Sequence, residues 1–385
     1  MNILLDFIPF QNAGGVGGAA SFTKAVFDAI IARCDTSVHL YAMFDAKVPV
    51  GRQYDYRQIA QQHGITLLDI SSTPIHEYVD RYKIDTLLIC IGQFYANYDL
   101  EGINCKVVMF IHDIFNVEGD DNKVDLLIHD PYIETTLQRC KRLVNVFSGR
   151  WKRQIQKAYQ NIMPLYSAPN TVAYTVSEYT RSSLAYYFPN MKKEIHVCYS
   201  PAREILMDKS VDDADLLRLI GSGKPYLLLL AANRRYKNAH ILMKVFKRLL
   251  TDHPDLHLLT LKYGRSIHPQ HLDISFLSDS DLEHAYEHAY ALVFASFFEG
   301  FGYPPIEALK HGTPVVASNV TSIPEILGEA GVYFSPFYPA DLYRTLKLVI
   351  ENRDIRKSEI ERQAGKISQR QQEDLHKLVD QILSV

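Results

Sequence analysis

At 385 residues the chain is too long for one ordinary hydrophobic core, so two domains are expected. Its 47% hydrophobic and 22% charged residues are those of a soluble globular protein, and no apolar run approaches a membrane span. The formal net charge of −3 points to no particular partner. The five cysteines are scattered, odd in number and without metal-ligand spacing. They fit buried thiols in a reducing cytosol rather than disulfides or zinc. The N-terminus has no basic leader and reads directly as a strand, so no signal peptide is expected.

Ile3 to Pro9 reads as the first strand. Gly14, Gly15, Gly17 and Gly18 follow, and then a helix from Ser21 whose Phe22, Ala25, Val26, Ala29 and Ile30 recur at helical spacing. These glycines permit backbone close to a ligand. Gly15 to Ala20 also satisfies a loose dinucleotide fingerprint, with Asp45 after a second strand, Val38 to Phe44. That makes a nicotinamide oxidoreductase the rival reading. It is weak, because Phe10 to Ala13 separates the glycines from the strand. Thr86 to Ile91 and Val107 to Ile111 read as buried strands. The second ends at His112-Asp113, where open α/β sheets bind ligands.

The stretch 139–157 is basic, carries Trp151 beside Phe147, and lies in a region with no Asp or Glu between Glu134 and Glu178. Such a stretch suits an anionic membrane surface or a phosphate-bearing acceptor. A solvated helix face is the plain alternative. No nucleic-acid motif accompanies it, and no nucleic-acid partner is expected. Val172 to Val176 and Ile195 to Cys198 complete a first domain, 1–200. Residues 201–224 read as a linker region.

Tyr226 to Ala231 opens the second domain, 225–366. Its end carries Asn233-Arg234-Arg235-Tyr236-Lys237-Asn238 before a helix, Ala239 to Leu250. Cations there can neutralise a diphosphate. Leu256 to Leu261 is a strand and Asp279 to Tyr290 a helix. Ala291 to Ala295 is a continuous apolar strand. The loop Ser296 to Tyr303 follows, and then Pro304 and Pro305, which suit a first helical turn. That helix carries Glu307 and stops near Gly312. Glu299 therefore leaves the carboxyl end of a strand and Glu307 sits inside the next helix. Backbone N–H groups of Gly300, Phe301, Gly302 and Tyr303 point to the same crevice and suit phosphate. Carboxylates suit sugar hydroxyls. Together they suggest a nucleotide sugar. The remaining stretch, 367–385, ends in an amphipathic helix with Leu375, Leu378, Val379 and Ile382 on one face.

Glu299 and Glu307, in EGFGYPPIE, resemble the E-x7-E motif of the family-four glycosyltransferases. His311 to Ser318, Ser322 to Glu325 and Gly328 to Phe334 resemble the segments that follow it there. The resemblance implies an α/β GT-B fold, two Rossmann-like doubly wound domains facing a central cleft. The last helix would pack back across the domain junction. It also implies a cytoplasmic, retaining, metal-independent hexosyltransferase of polysaccharide or glycoconjugate assembly. Such an enzyme uses a nucleoside-diphosphate sugar, a glycan or lipid-linked acceptor, and no further cofactor. By that resemblance Lys237 and Arg234, with Arg235 as the alternative, bind the donor pyrophosphate. Glu307 holds the ribose and Glu299 the donor hexose, while His112 lies near the transferred sugar. The glycine loop Gly14, Gly15 and Gly17 covers the phosphates or the acceptor entrance. Lys262-Tyr263-Gly264 departs from the family's glycine-rich turn. A catalytically silent nucleotide-sugar-binding subunit of the same fold is the alternative.

Overall fold

The computed structural model describes residues 1–11, 18–51, 54–121, 134–202, 210–352 and 354–384. The chain falls into two compact units. One comprises residues 1–117, 150–203 and 369–385; the other comprises 118–149 and 204–368. Each is built on a parallel sheet, and the fold class is mixed α/β as expected.

In the first unit the strands are β1 (Asn2–Asp6), β2 (His39–Phe44), β3 (Thr66–Asp69), β4 (Thr86–Ile89), β5 (Lys106–Ile111), β6 (Thr171–Thr175) and β7 (Ile195–Val197). They lie in the order β3-β2-β1-β4-β5-β6-β7, every described pair parallel. Strands β4 and β5 are buried almost throughout, which is why they read as continuous apolar runs. The strand expected over Ile3 to Pro9 stops at Asp6, and Ile8–Gln11 is a short helix. The cause is local: the buried Asp6 carboxylate accepts the Ile8 N–H at 3.1 Å, the Cys90 N–H at 2.9 Å and the Tyr95 hydroxyl at 2.6 Å. The sheet thus turns at a polar knot whose burial raises the Asp6 pKa to about 7.

The second unit contains β8 (Tyr226–Leu229), β9 (His257–Leu261), β10 (His271–Ile274), β11 (Ala291–Phe294), β12 (Val315–Ser318) and β13 (Gly331–Phe334). Their order is β10-β9-β8-β11-β12-β13, again parallel. Alternate side chains feed two cores. Leu227, Val293 and Val316 pack under the helix Ala239–Asp252, while Leu228, Leu292 and Val315 pack with Tyr286 and Ala308 on the other face. Strand order reverses between β8 and β11. The loops after those two strands therefore diverge to opposite faces and leave a crevice at the carboxyl ends.

The final helix runs Lys357–Leu383, longer than the amphipathic stretch read from the sequence. Its later part hydrogen-bonds within the first unit: Asp374 Oδ2 accepts the Tyr199 N–H at 3.0 Å, and Gln371 donates to the Ser200 carbonyl at 2.6 Å. Segment 118–149, which the sequence reading places in the first domain, groups with the second unit. Its Glu134 accepts two bonds from Arg142, both 2.9 Å, and lies 3.8 Å from Arg235.

Candidate functional site

The segments that follow β8 and β11 carry Arg234, Lys237, Glu299, Gly300 to Tyr303 and Glu307, all singled out in the sequence. After β8 the chain makes a short 3-10 turn, Arg235–Lys237, and Asn238 adopts the left-handed conformation (φ 55°) before the helix Ala239–Asp252. Asn tolerates this better than other side chains, and its amide donates to the Pro336 carbonyl at 3.0 Å. The turn aims Lys237 inward, leaving it only 8% exposed. Its Nζ donates to Glu299 Oε1 at 2.6 Å and lies 4.6 Å from the Phe294 ring centroid and 5.3 Å from that of Tyr236. Sequence reasoning gave Lys237 and Glu299 separate partners; in the structure they pair with each other. An ammonium has three donors, so the pair retains capacity for an anion.

Arg234 is exposed and donates to the Tyr236 hydroxyl at 3.0 Å. The Tyr236 phenol, and after it the Glu299 carboxylate, hold the guanidinium pKa above its usual value. Arg235 faces Glu134 instead.

The loop after β11 ends at Gly302, whose φ of 108° requires glycine, and the helix begins at Tyr303. Pro304 and Pro305 supply no N–H to its first turn. Glu307 lies one turn in, 7% exposed, and its Oε2 accepts the Tyr286 hydroxyl at 2.7 Å. Tyr286 is fully buried on the helix Asp279–His288, and its carbonyl accepts the Thr313 hydroxyl at 2.7 Å. His311 stacks on its ring, the centroids 6.1 Å apart.

Three positioning residues escaped the sequence reading. Tyr286 fixes Glu307. Thr321 accepts the Glu299 N–H at 3.2 Å, and Ser322 donates to the carbonyls of Glu299 and Phe301 at 2.9 and 3.2 Å. For Ser322 the signal was present, since it opens the segment Ser322 to Glu325. For Tyr286 there was none, because its partner lies 21 residues away.

In the first unit His112 directly follows β5, its Nε2 3.0 Å from the Cys90 carbonyl and its ring edge-on to Phe22. Burial lowers its pKa to about 4. A neutral ring bonded to a carbonyl carries its hydrogen on Nε2, leaving Nδ1 an acceptor. Asp113 accepts the Phe115 N–H at 3.0 Å and so holds the loop. Gly14, Gly15 and Gly17 lie outside the described residues. Asp45, the acid of the dinucleotide reading, has its carboxylate bonded to the Tyr98 hydroxyl and the Lys47 N–H.

The basic stretch forms two helices, Thr136–Phe147 and Arg150–Tyr166, separated at Gly149 with φ 64°. Among the described residues, one group has metal-ligating atoms within 4.8 Å of one another: His284, Glu287 and His288. It contains none of the predicted site residues. No described helix is long and apolar enough to cross a membrane.

Residues 218–366 match the family described as glycosyl transferases group 1. The chain is 30% identical over 177 residues to the O-antigen chain mannosyltransferase RfbU of Salmonella typhimurium, 43% of this chain and 46% of that protein. It is 48% identical over 63 residues to the O-antigen chain mannosyltransferase B of Escherichia coli, 16% of each. The matched segments thus span less than half the length of these curated relatives. Among solved structures, Anabaena Alr3699/HepE in complex with UDP and glucose superposes with a TM-score of 0.65 at 15% identity, covering both chains entirely. WaaG, described as a glycosyltransferase involved in lipopolysaccharide biosynthesis, gives 0.63 at 14%, again over both chains. At those identities the likeness is one of fold, and the fold is GT-B.

Proposed function

Because residues 218–366 belong to the glycosyl transferases group 1 family, we propose that the chain as a whole is a glycosyltransferase of polysaccharide or glycoconjugate assembly. It moves a hexose from a nucleoside-diphosphate sugar to a glycan or lipid-linked acceptor. The observation that carries this reading is the 2.6 Å Lys237–Glu299 pair at the strand-order reversal, with Glu307 one turn inside the adjoining helix. Such a site offers charge for a diphosphate between two carboxylates suited to hydroxyls. Mannose is the first sugar to test, since the curated relatives are named mannosyltransferases.

In the proposed reaction the bond from the anomeric carbon to the diphosphate breaks. The acceptor oxygen bonds to that carbon on the same face, and the acceptor's proton passes to the departing phosphate, so configuration is retained. Lys237, Arg234 and the N–H groups of Gly300 to Tyr303 stabilise charge on the leaving group, an electrostatic role that needs no metal ion or further cofactor. Glu299 orients the hexose and Glu307 accepts from the ribose. His112 contributes to the transferred sugar through Nδ1.

Thermal shift with GDP, UDP, ADP and NAD tests the donor class, and nucleotide release from GDP-mannose with acceptor, in the presence of EDTA, tests the reaction. Stabilisation by NAD alone sinks the reading. Nucleotide binding without release from any donor and acceptor would leave a silent subunit.

A cytoplasmic enzyme touching an anionic membrane is part of the same proposal. The helix Thr136–Phe147 leaves Leu137, Val144 and Phe147 65%, 64% and 77% exposed, with Arg139 and Lys141 between them. Flotation with liposomes containing anionic lipid, lost in Phe147→Glu, is the expected result. Equal and negligible binding with and without anionic lipid removes the idea.

A further inference from the structure

The first unit contains a cavity of about 590 Å³ that none of the chemistry above uses. It sits at the carboxyl ends of β2 and β3, walled on one side by the segment Phe94 to Asp99 that follows β4. Its volume is that of a small-molecule site, and its lining has two characters. Ile8, Ile70, Ile75 and the half-buried Phe94 make an apolar floor. Ser71, Thr73, Asn97, Tyr98 and Asp99 make a polar rim.

The wall is held before any ligand arrives. The Asn161 amide donates to the carbonyls of Tyr95, Ala96 and Tyr98, the last at 2.9 Å. Tyr98 in turn donates to Asp45. On the opposite side Lys47 Nζ is occupied by the Ser71 carbonyl at 2.9 Å. By contrast, the Asn97 amide and the Thr73 hydroxyl have no hydrogen-bond partner among the described residues. Asp99 uses Oδ1 for the Glu101 N–H at 3.0 Å and keeps Oδ2 for another donor.

These features select a ligand class. The lining carries two carboxylates, Asp45 and Asp99, against one ammonium, Lys47, so its net charge disfavours an anion. A purely apolar ligand would leave the rim's amide and hydroxyl without partners. A molecule with a hydrocarbon face and a hydroxyl edge satisfies both, and an uncharged sugar ring is such a molecule.

We propose that this cavity binds a neutral saccharide residue of the acceptor, set back from the reacting end. The proposal rests on transfer to a glycan-bearing acceptor, and position gives the distance. From β5, which His112 directly follows, to β2 is three steps in the sheet, about 14 Å at the usual strand spacing and roughly the reach of two or three linked sugars. The cavity thus reads chain length as well as sugar identity.

Calorimetry on the full chain tests this, using neutral manno-, gluco- and galacto-oligosaccharides of roughly one to four residues. Oligogalacturonates of matched length serve as the anionic control. A neutral tri- or tetrasaccharide should bind at least about tenfold more tightly than its monosaccharide. Asn97→Ala should lower that advantage by about fivefold, as should Phe94→Leu, with Thr73→Val as a further rim variant. GDP and UDP binding, measured in parallel, should stay unchanged in all three. The proposal is overturned if no neutral series binds, if the galacturonates bind more tightly, or if the variants bind like the parent chain. Loss of nucleotide binding and donor turnover in the parent chain, with neutral oligosaccharides still bound, would instead remove the transferase reading alone.

Discussion

Lys237 carries a charge that is 8% exposed, and Glu299 alone is its ion-pair partner among the described residues. Removing either partner strands the other. Lys237→Ala and Glu299→Ala should therefore each cost about 2–3 kcal/mol of stability, a little below the figure for full burial. The double variant should lose less than the two costs added, by about 1–2 kcal/mol, in a denaturation cycle. Strict additivity would show that the two do not act as a pair. Activity should separate them further. Glu299→Ala should lower kcat by at least about tenfold while nucleotide affinity changes little. Lys237→Ala should weaken nucleotide binding by about 1.5–3 kcal/mol. Tyr286 acts one step back, through the Glu307 carboxylate that is to hold the ribose. Tyr286→Phe keeps the ring and its stack with His311 but removes the donor. A roughly three- to tenfold rise in nucleotide Kd with kcat retained is expected, in line with the net loss of one hydrogen bond, about 0.5–1.5 kcal/mol. Unchanged affinity would place Glu307 away from the nucleotide.

Among the elements, the helix Tyr303–Lys310 depends most on one backbone angle. At Gly302 a Cβ would meet the Phe294 ring at 3.7 Å, an ordinary contact, so space is not the obstacle; the φ of 108° is. Gly302→Ala should cost about 1–2 kcal/mol, a fall of about 2–8 °C in the melting of a unit this size. It should also weaken nucleotide binding, because the same turn aims the N–H groups. Melting unchanged within a degree would count against the strain. The buried strands β5 and β11 were legible in the sequence because both faces are covered. The glutamates were legible because strand, loop and prolines fix their placement. The short edge strands β3 and β10 were not. At four residues they show no period, and β10 has His271 and Asp273 turned to polar work, Asp273 accepting the N–H groups of Tyr263 and Gly264. Those bonds also hold the loop that departs from the glycine-rich turn. The first half of the helix Lys357–Leu383 was missed because Ile360 and Ile367 are its only buried hydrophobic residues before Leu378. The Lys237–Glu299 pair spans 62 residues, beyond any local pattern.

At the scale of the whole molecule the two units should answer acid differently. In the second, burial lowers the His271 pKa to about 4. Its Nδ1 accepts the Ile267 N–H at 3.1 Å, a bond that needs the ring neutral. Unfolded, a histidine titrates near 6.5. Between about pH 6.5 and 4 the unfolded state therefore holds the extra proton, and the second unit loses stability as pH falls, by about 1.4 kcal/mol per pH unit at most. The first unit has the same liability in His112, with its pKa near 4. It also holds Asp6, whose pKa rises from 3.8 to about 7 on folding. Over the same window the native state keeps that carboxyl proton while the unfolded state has lost it, so acid stabilises the fold through Asp6. The two slopes oppose and nearly cancel. Carboxylates with lowered pKa, such as Asp69 and Asp341, bear on stability only below about pH 4.5. Hydrogen exchange followed by peptide should then show protection of β8, β9 and β11 falling between pH 6.5 and 4, corrected for intrinsic rates, while β1, β4 and β5 hold theirs. In Asp6→Asn the counterweight is gone, and the first unit should acquire the pH dependence of the second. Parallel loss of protection in both sheets of the parent chain would refute the opposition of His112 and Asp6.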